Sequence, residues 1–157
     1  MKKLILMLLV VAIMSHVGCT EKEPTVNIPV VVESAFKAKF PNATKAKWEM
    51  ENKTKFEVNF NLSNEEVSAN FDSAGTWLET ETEIEASALP AAAQATINAD
   101  FANFKINEAS KIERVKSGTC YEAEIEKGEE TFDVLLTTDG KVLSKTKVEE
   151  KEEDKED

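Results

Sequence analysis

The sequence predicts an α+β fold: two tandem units, each one helix plus a four-stranded antiparallel sheet, with the helices on one face and the other sheet face open. Three observations predict it. Two stretches rich in Ala and Val, opened by Ile28-Pro29 and Leu89-Pro90, carry apolar residues at helical spacing. Runs that alternate apolar and polar residues follow each stretch, which is the period of half-buried strands. Glycine-bearing turns, at Gly75 and at Asp139-Gly140, then separate runs that can pair as hairpins.

Residues 1–18 read as an export leader. Lys2 and Lys3 precede an apolar run from Leu4 to Met14, which is shorter than the roughly 20 residues a membrane helix needs but fits the about 7–15 of a leader's apolar segment. His16-Val17-Gly18-Cys19 resembles a bacterial lipobox, with His16 where Leu is usual, and makes Cys19 the expected lipidated N-terminus. Loss of the leader removes Lys2, Lys3 and His16, so the net charge moves from −11 to −13 and no histidine is left. Ser-His and Cys-His nucleophile pairs, histidine bases and histidine metal sites are thereby excluded. An acidic chain also repels phosphates, which argues against a nucleic-acid partner.

Residues 19–27 are polar and read as a tether, followed by a first unit at 28–86 and a second at 87–148. In the first, Val31, Val32, Ala35, Phe36 and Phe40 lie on one helical face, and Pro41 ends the helix. Strands are expected around Ala46 to Glu51, at Phe56 to Phe60, at Val67 to Phe71 and at Trp77-Leu78. In the second, Ala93, Ile97 and Phe101 mark the helix. Its strands are expected around Ala109 to Val115, at Tyr121 to Ile125, at Phe132 to Leu136 and at Val142-Leu143. Residues 149–157 are almost all acidic, with nothing to bury, and read as a disordered tail.

If Phe56, Val58 and Phe60 face the helix, then Glu57, Asn59 and Asn61 line the open face; the same phase places Cys120, Glu122, Glu124 and Glu126 there. Carboxylates two apart on one strand diverge and have no loop to wrap an ion, so no metal is expected on Glu122, Glu124 and Glu126. Leu78 shares parity with Ile84, which puts Trp77 outward beside Glu79 and makes it a candidate anchor; a bulge that buries Trp77 is the competing reading. Leu135, next to Leu136, poses the same question. Cys120 lacks a Cys-x-x-Cys partner and reads as structural. Partner-binding candidates are therefore Trp77, Glu79, Glu122, Glu124 and Leu135, with no catalytic residue and no cofactor.

The lipobox-like leader, the two helix-plus-hairpins units and the strand Phe56 to Phe60 together resemble the PepSY-like family of beta-lactamase-inhibitor-like lipoproteins of Bacteroidetes. The resemblance covers residues 28–148. It implies tandem units with helices on one side of a sheet, and a binding or inhibitory role without catalysis, and it carries no functional residues to transfer. For such a source, Asp72-Ser73-Ala74 matches a short O-glycosylation pattern and makes Ser73 a candidate glycan site. The expected function is that of a non-enzymatic envelope lipoprotein, periplasmic or surface-facing. It would touch the membrane through its lipid alone and bind an unknown protein or peptide through the open sheet face. The alternative is a structural or stress-related envelope component without a specific ligand.

Overall fold

The structure, a computed structural model, describes residues 26–148. The expected leader, Cys19, most of the tether and the acidic tail lie outside the described residues. In chain order the elements are α1 (Val30–Lys39), β1 (Thr44–Asn52), β2 (Lys55–Leu62), β3 (Glu65–Asp72), β4 (Trp77–Glu83), a 3-10 turn (Ala86–Ala88), α2 (Ala91–Asp100), β5 (Lys105–Arg114), β6 (Gly118–Lys127), β7 (Glu130–Thr137) and β8 (Val142–Lys147).

Each helix starts directly after a proline, whose missing N–H has no helical partner to lose. The Pro29 carbonyl accepts from the N–H of Val32 at 2.9 Å, and that of Pro90 from Gln94 at 3.0 Å. α1 buries Val32 and Phe36 against Phe56, Val58 and Phe60 of β2 and Val67, Ala69 and Phe71 of β3. α2 buries Ala93 and Ile97 against Ala109, Ala123, Ile125, Val134 and Leu136.

The two-unit architecture expected from the sequence does not form. All eight strands make one antiparallel sheet in the order β1 to β8, because β4 pairs with β5 from Glu79 opposite Arg114 to Glu83 opposite Ser110. Further hydrogen bonds, Ile84 N–H to the Ala109 carbonyl and Val115 N–H to the Leu78 carbonyl, extend the ladder at both ends. Two separate four-stranded sheets would each leave an edge of unpaired N–H and C=O groups at this point, and joining them satisfies both. The molecule is therefore one sheet with two helices on the same face. The two cores sit side by side beneath it.

Two matching devices tie the turns to the helices. Gly75 has φ +80°, and a Cβ there would lie 2.9 Å from the Val31 carbonyl oxygen; Gly140 has φ +82°, and a Cβ would lie 2.5 Å from the Ala92 carbonyl oxygen. Only glycine combines a left-handed φ with so close an approach to a helix backbone. Thr96 Oγ1 donates to the Gly140 carbonyl at 2.8 Å and pins the second contact. The strand after each of these turns carries one extra residue. The register passes from Asn70–Glu79 to Phe71–Trp77, and from Leu135–Ser144 to Leu136–Val142. Leu78 and Leu143 are the bulged residues.

Candidate functional site

The sheet face away from the helices is built from alternate residues of every strand. Lys47 and Glu49 come from β1, Glu57 and Asn59 from β2, and Ser68 and Asn70 from β3. Glu79 and Glu81 follow from β4, Glu108, Ser110 and Arg114 from β5, Glu122 and Glu124 from β6, and Asp133 and Leu135 from β7. The pairing aligns these across the sheet. Two adjoining depressions lie on this face. One, about 580 Å³, lies over β1 to β5 and is lined by lysines and carboxylates, Lys45, Lys47, Glu57 and Glu66 among them. The other, about 230 Å³, lies over β4 to β7 between Glu81, Glu108, Ser110, Glu122, Glu124 and Asp133.

Glu79 is the centre of a compact polar network. Arg114 Nε donates to its Oε2 at 2.7 Å, and Lys55 Nζ and Asn70 Nδ2 reach its Oε1 at 3.4 and 3.2 Å. Burial raises the Glu79 pKa, but the hydrogen bond and charge of Arg114, with help from Lys55, outweigh it and hold the carboxyl below its ordinary value. Glu122 has the opposite fate. Burial, then the charges of Glu81 and Asp133, push it up to about 7 against a partial offset from Arg114. Asp133 is raised by burial and by Glu81. Because the folded pKa of Glu122 exceeds its ordinary value, its contribution favours folding below that ordinary value and is lost as the pH rises through about 7. Glu124 accepts from Asn107 Nδ2 through Oε1, while its Oε2 is buried with no hydrogen-bond partner.

The sequence-derived candidates divide between the two faces. Glu79, Glu122, Glu124 and Leu135 are on the open face, Leu135 half-buried opposite Glu122. Trp77 is not. The bulge at Leu78 turns it under the sheet, opposite Phe71, where it packs against the α1 core. Its indole N–H donates to Thr80 Oγ1 at 2.9 Å, and Lys39 Nζ sits 3.6 Å from its ring centroid. The outward placement of Trp77 is thus corrected, and with it the inward placement of Leu78, since one inserted residue inverts the strand phase. Trp77→Ala is expected to lower stability by about 2 kcal/mol, below the cost of a fully buried aromatic because the ring is half-exposed. A urea titration checks this: unchanged stability would contradict the packing.

Other positions fill in the picture. Cys120 is buried on the open face opposite Ile112, and burial pushes its thiol up, away from thiolate chemistry. Ser73 is exposed in the β3–β4 turn. Sequence reasoning missed Glu108, Asp133 and the Asn70–Glu79–Arg114 network, because their convergence depends on register across strands far apart in sequence. All eight Phe, both Trp and the Tyr are buried in, or packed against, the two helix-side cores. The open face therefore carries no aromatic side chain among the described residues. No group of three or more carboxylates, thiols or histidines among those residues has the geometry to hold a metal ion.

The family described as "Putative beta-lactamase-inhibitor-like, PepSY-like" has a model that matches residues 54–144. The fold is shared with solved structures. A "putative periplasmic" protein of Bacteroides eggerthii is similar at 18% identity and a TM-score of 0.72, over 78% of this chain and 90% of that one. A BLIP-like protein of Bacteroides fragilis is similar at 23% identity and 0.71, over 85% and 94%. A DUF2874 family protein of Bacteroides uniformis is similar at 16% and 0.71, over 76% and 88%. Among curated proteins none matches the sequence significantly. The family match runs from β2 into β8, through α2 and most of the open face, and the chain belongs to the PepSY-like, beta-lactamase-inhibitor-like family.

Proposed function

We propose that the protein is a non-catalytic envelope lipoprotein, anchored through Cys19, that binds a protein or peptide partner reversibly and in an inhibitor-like way through the open sheet face. One observation carries the reading: one face of the eight-stranded sheet carries two adjoining depressions, with no helix of the described residues over it. Family membership supports an inhibitor-like action. The description of the Bacteroides eggerthii structure as "putative periplasmic" and the Gly18-Cys19 lipobox support the envelope location. A sheet face with both depressions open is suited to receive a protruding segment of another protein, and side chains on rigid strands need little ordering to meet it.

Photo-crosslinking tests the reading. A benzophenone side chain at Ser110, which borders both depressions, is expected to give one discrete adduct in intact cells, and the same probe at Lys37 on the outer side of α1 is expected to give none. Equal adducts from both positions, or none from either, would favour a structural envelope component without a specific ligand.

A further inference from the structure

We infer that the end of the sheet formed by the β1–β2, β3–β4, β5–β6 and β7–β8 turns rests on the surface of a phospholipid bilayer. This rests on the Cys19 anchor proposed above and adds how the anchored molecule stands on its membrane.

The sheet order defines the two ends. Each of these four turns joins neighbouring antiparallel strands, so all four lie at one end of the sheet. Both helices start there too, because the Val31 carbonyl oxygen approaches Gly75 and the Ala92 carbonyl oxygen approaches Gly140. Among the described residues the exposed large hydrophobic side chains are Val30, Val31, Met50, Val115 and Leu143. All belong to this end. Val30 and Val31 open α1, Met50 precedes the β1–β2 turn, Val115 lies in the β5–β6 turn and Leu143 follows the β7–β8 turn. At the opposite end, Phe40, Phe101 and Phe104 are instead half-buried against the cores. Single exposed apolar side chains are ordinary on a protein surface; their confinement to one end is what requires a cause.

Two observations identify the occupant as a lipid surface. The first is the path of the chain. Val26 leads into α1 at this end, and Cys19 stands seven positions before it, a reach of at most about 25 Å. A lipid on Cys19 therefore holds this end near the bilayer, and tethering makes even weak apolar contacts effective. The second is charge. The four turns and the strand ends beside them hold Lys53, Lys55, Arg114, Lys116 and Lys141 against Asp72 and Asp139. Lys55 and Arg114 are shared with Glu79, while Lys53, Lys116 and Lys141 are exposed. The opposite end has the reverse balance: Lys39, Lys105, Lys127 and Lys147 are outnumbered by carboxylates, Glu65, Glu83, Glu129 and Glu130 among them, and the acidic run 149–157 follows β8. An anionic leaflet attracts one end and repels the other, which orients the molecule although its net charge is −11. The strands then run along the membrane normal. The open face, with its acidic row of Glu108, Glu124 and Asp133 across β5 to β7, looks sideways and stays clear of the bilayer.

The test uses the full chain, produced with its leader and placed in nanodiscs of phosphatidylethanolamine and phosphatidylglycerol at about 3:1. A lipid with a nitroxide headgroup serves as the relaxation probe. Amides of Lys141 to Leu143 should broaden as strongly as those of Val30 and Val31, within about twofold, while Ser63-Asn64 and Gly128-Glu129 keep their intensity. The β7–β8 turn decides the matter. β8 lies five strands from β3, about 24 Å away, and a tether alone would give broadening that fades over that distance. The variant Val30→Glu/Val115→Glu/Leu143→Glu should lose at least about twofold of the broadening at the β7–β8 turn. It should stay in the membrane fraction and keep its melting temperature, since all three side chains are exposed. Unchanged broadening in that variant, a gradient that fades toward β8, or equal broadening at both ends would overturn the inference and leave the anchor standing. A wild-type chain absent from the membrane fraction would overturn both. A glycan on Ser73, within the β3–β4 turn, would overturn the inference by holding this end away from the headgroups.

Discussion

Gly140→Ala is expected to destabilise the protein by about 3–5 kcal/mol, from a backbone cost of about 1–2 kcal/mol for a left-handed alanine plus a steric clash. The clash has a clear source. An added Cβ would lie 2.5 Å from the Ala92 carbonyl oxygen, 2.7 Å from its carbon and 2.9 Å from Thr96 Oγ1. The first two atoms are helix backbone, so relief requires lifting the β7–β8 turn off α2. That movement would also break the Thr96 hydrogen bond to the Gly140 carbonyl. Gly118→Ala is the internal control: φ is +73° but nothing lies within 4 Å of the added Cβ, so only the backbone cost of about 1–2 kcal/mol applies. Equal midpoints for the two variants in urea would show that the turn does not seat on the helix.

Phe71→Ala is expected to cost about 3–5 kcal/mol, the range for removing a fully buried aromatic ring. Phe71 is fully buried. Its ring meets Phe36 edge-on at 6.3 Å between centroids and Trp48 at the same distance. Truncation therefore leaves a cavity where α1, β1 and β3 converge. Asn59, on the open side of β2, should tolerate alanine within about 0.5 kcal/mol. A urea titration that found similar losses at both positions would reverse the assignment of the two faces.

Local pattern and tertiary pairing were legible to different degrees. The alternation Phe56, Val58, Phe60 and the helical spacing of Val32 and Phe36 report side-chain direction directly, because burial imposes the period of each element. The same phase put Glu122 and Glu124 on the open face. What local pattern does not report is which strands pair across a long connection. Glu79 to Glu83 and Ser110 to Arg114 carry no mark of each other, so local pattern alone divides the one sheet into two. Trp77 shows a second limit. Parity counted from Leu78 fails when a residue is inserted, yet a signal was present: Trp77-Leu78 after Gly75 corresponds to Val142-Leu143 after Gly140, and in the structure both pairs place the first residue inward and bulge the second. The acidic row is the third case. Glu108, Glu124 and Asp133 come together only through the ladder.

The seam between β4 and β5 also bears on how the chain reaches this structure. Every other pairing in the sheet joins strands linked by a short turn, so those loops close quickly and at small entropic cost. β4 and β5 are joined instead through the excursion that contains α2, so their ladder is the slow closure and the point at which the first four strands wait for the last four. The same hydrogen bonds could be made between β4 of one molecule and β5 of another, giving an exchanged dimer with each ladder intact. Within one chain the connection keeps the two strands at an effective concentration on the order of millimolar. That proximity, rather than any contact special to the seam, directs it to close inside a single molecule.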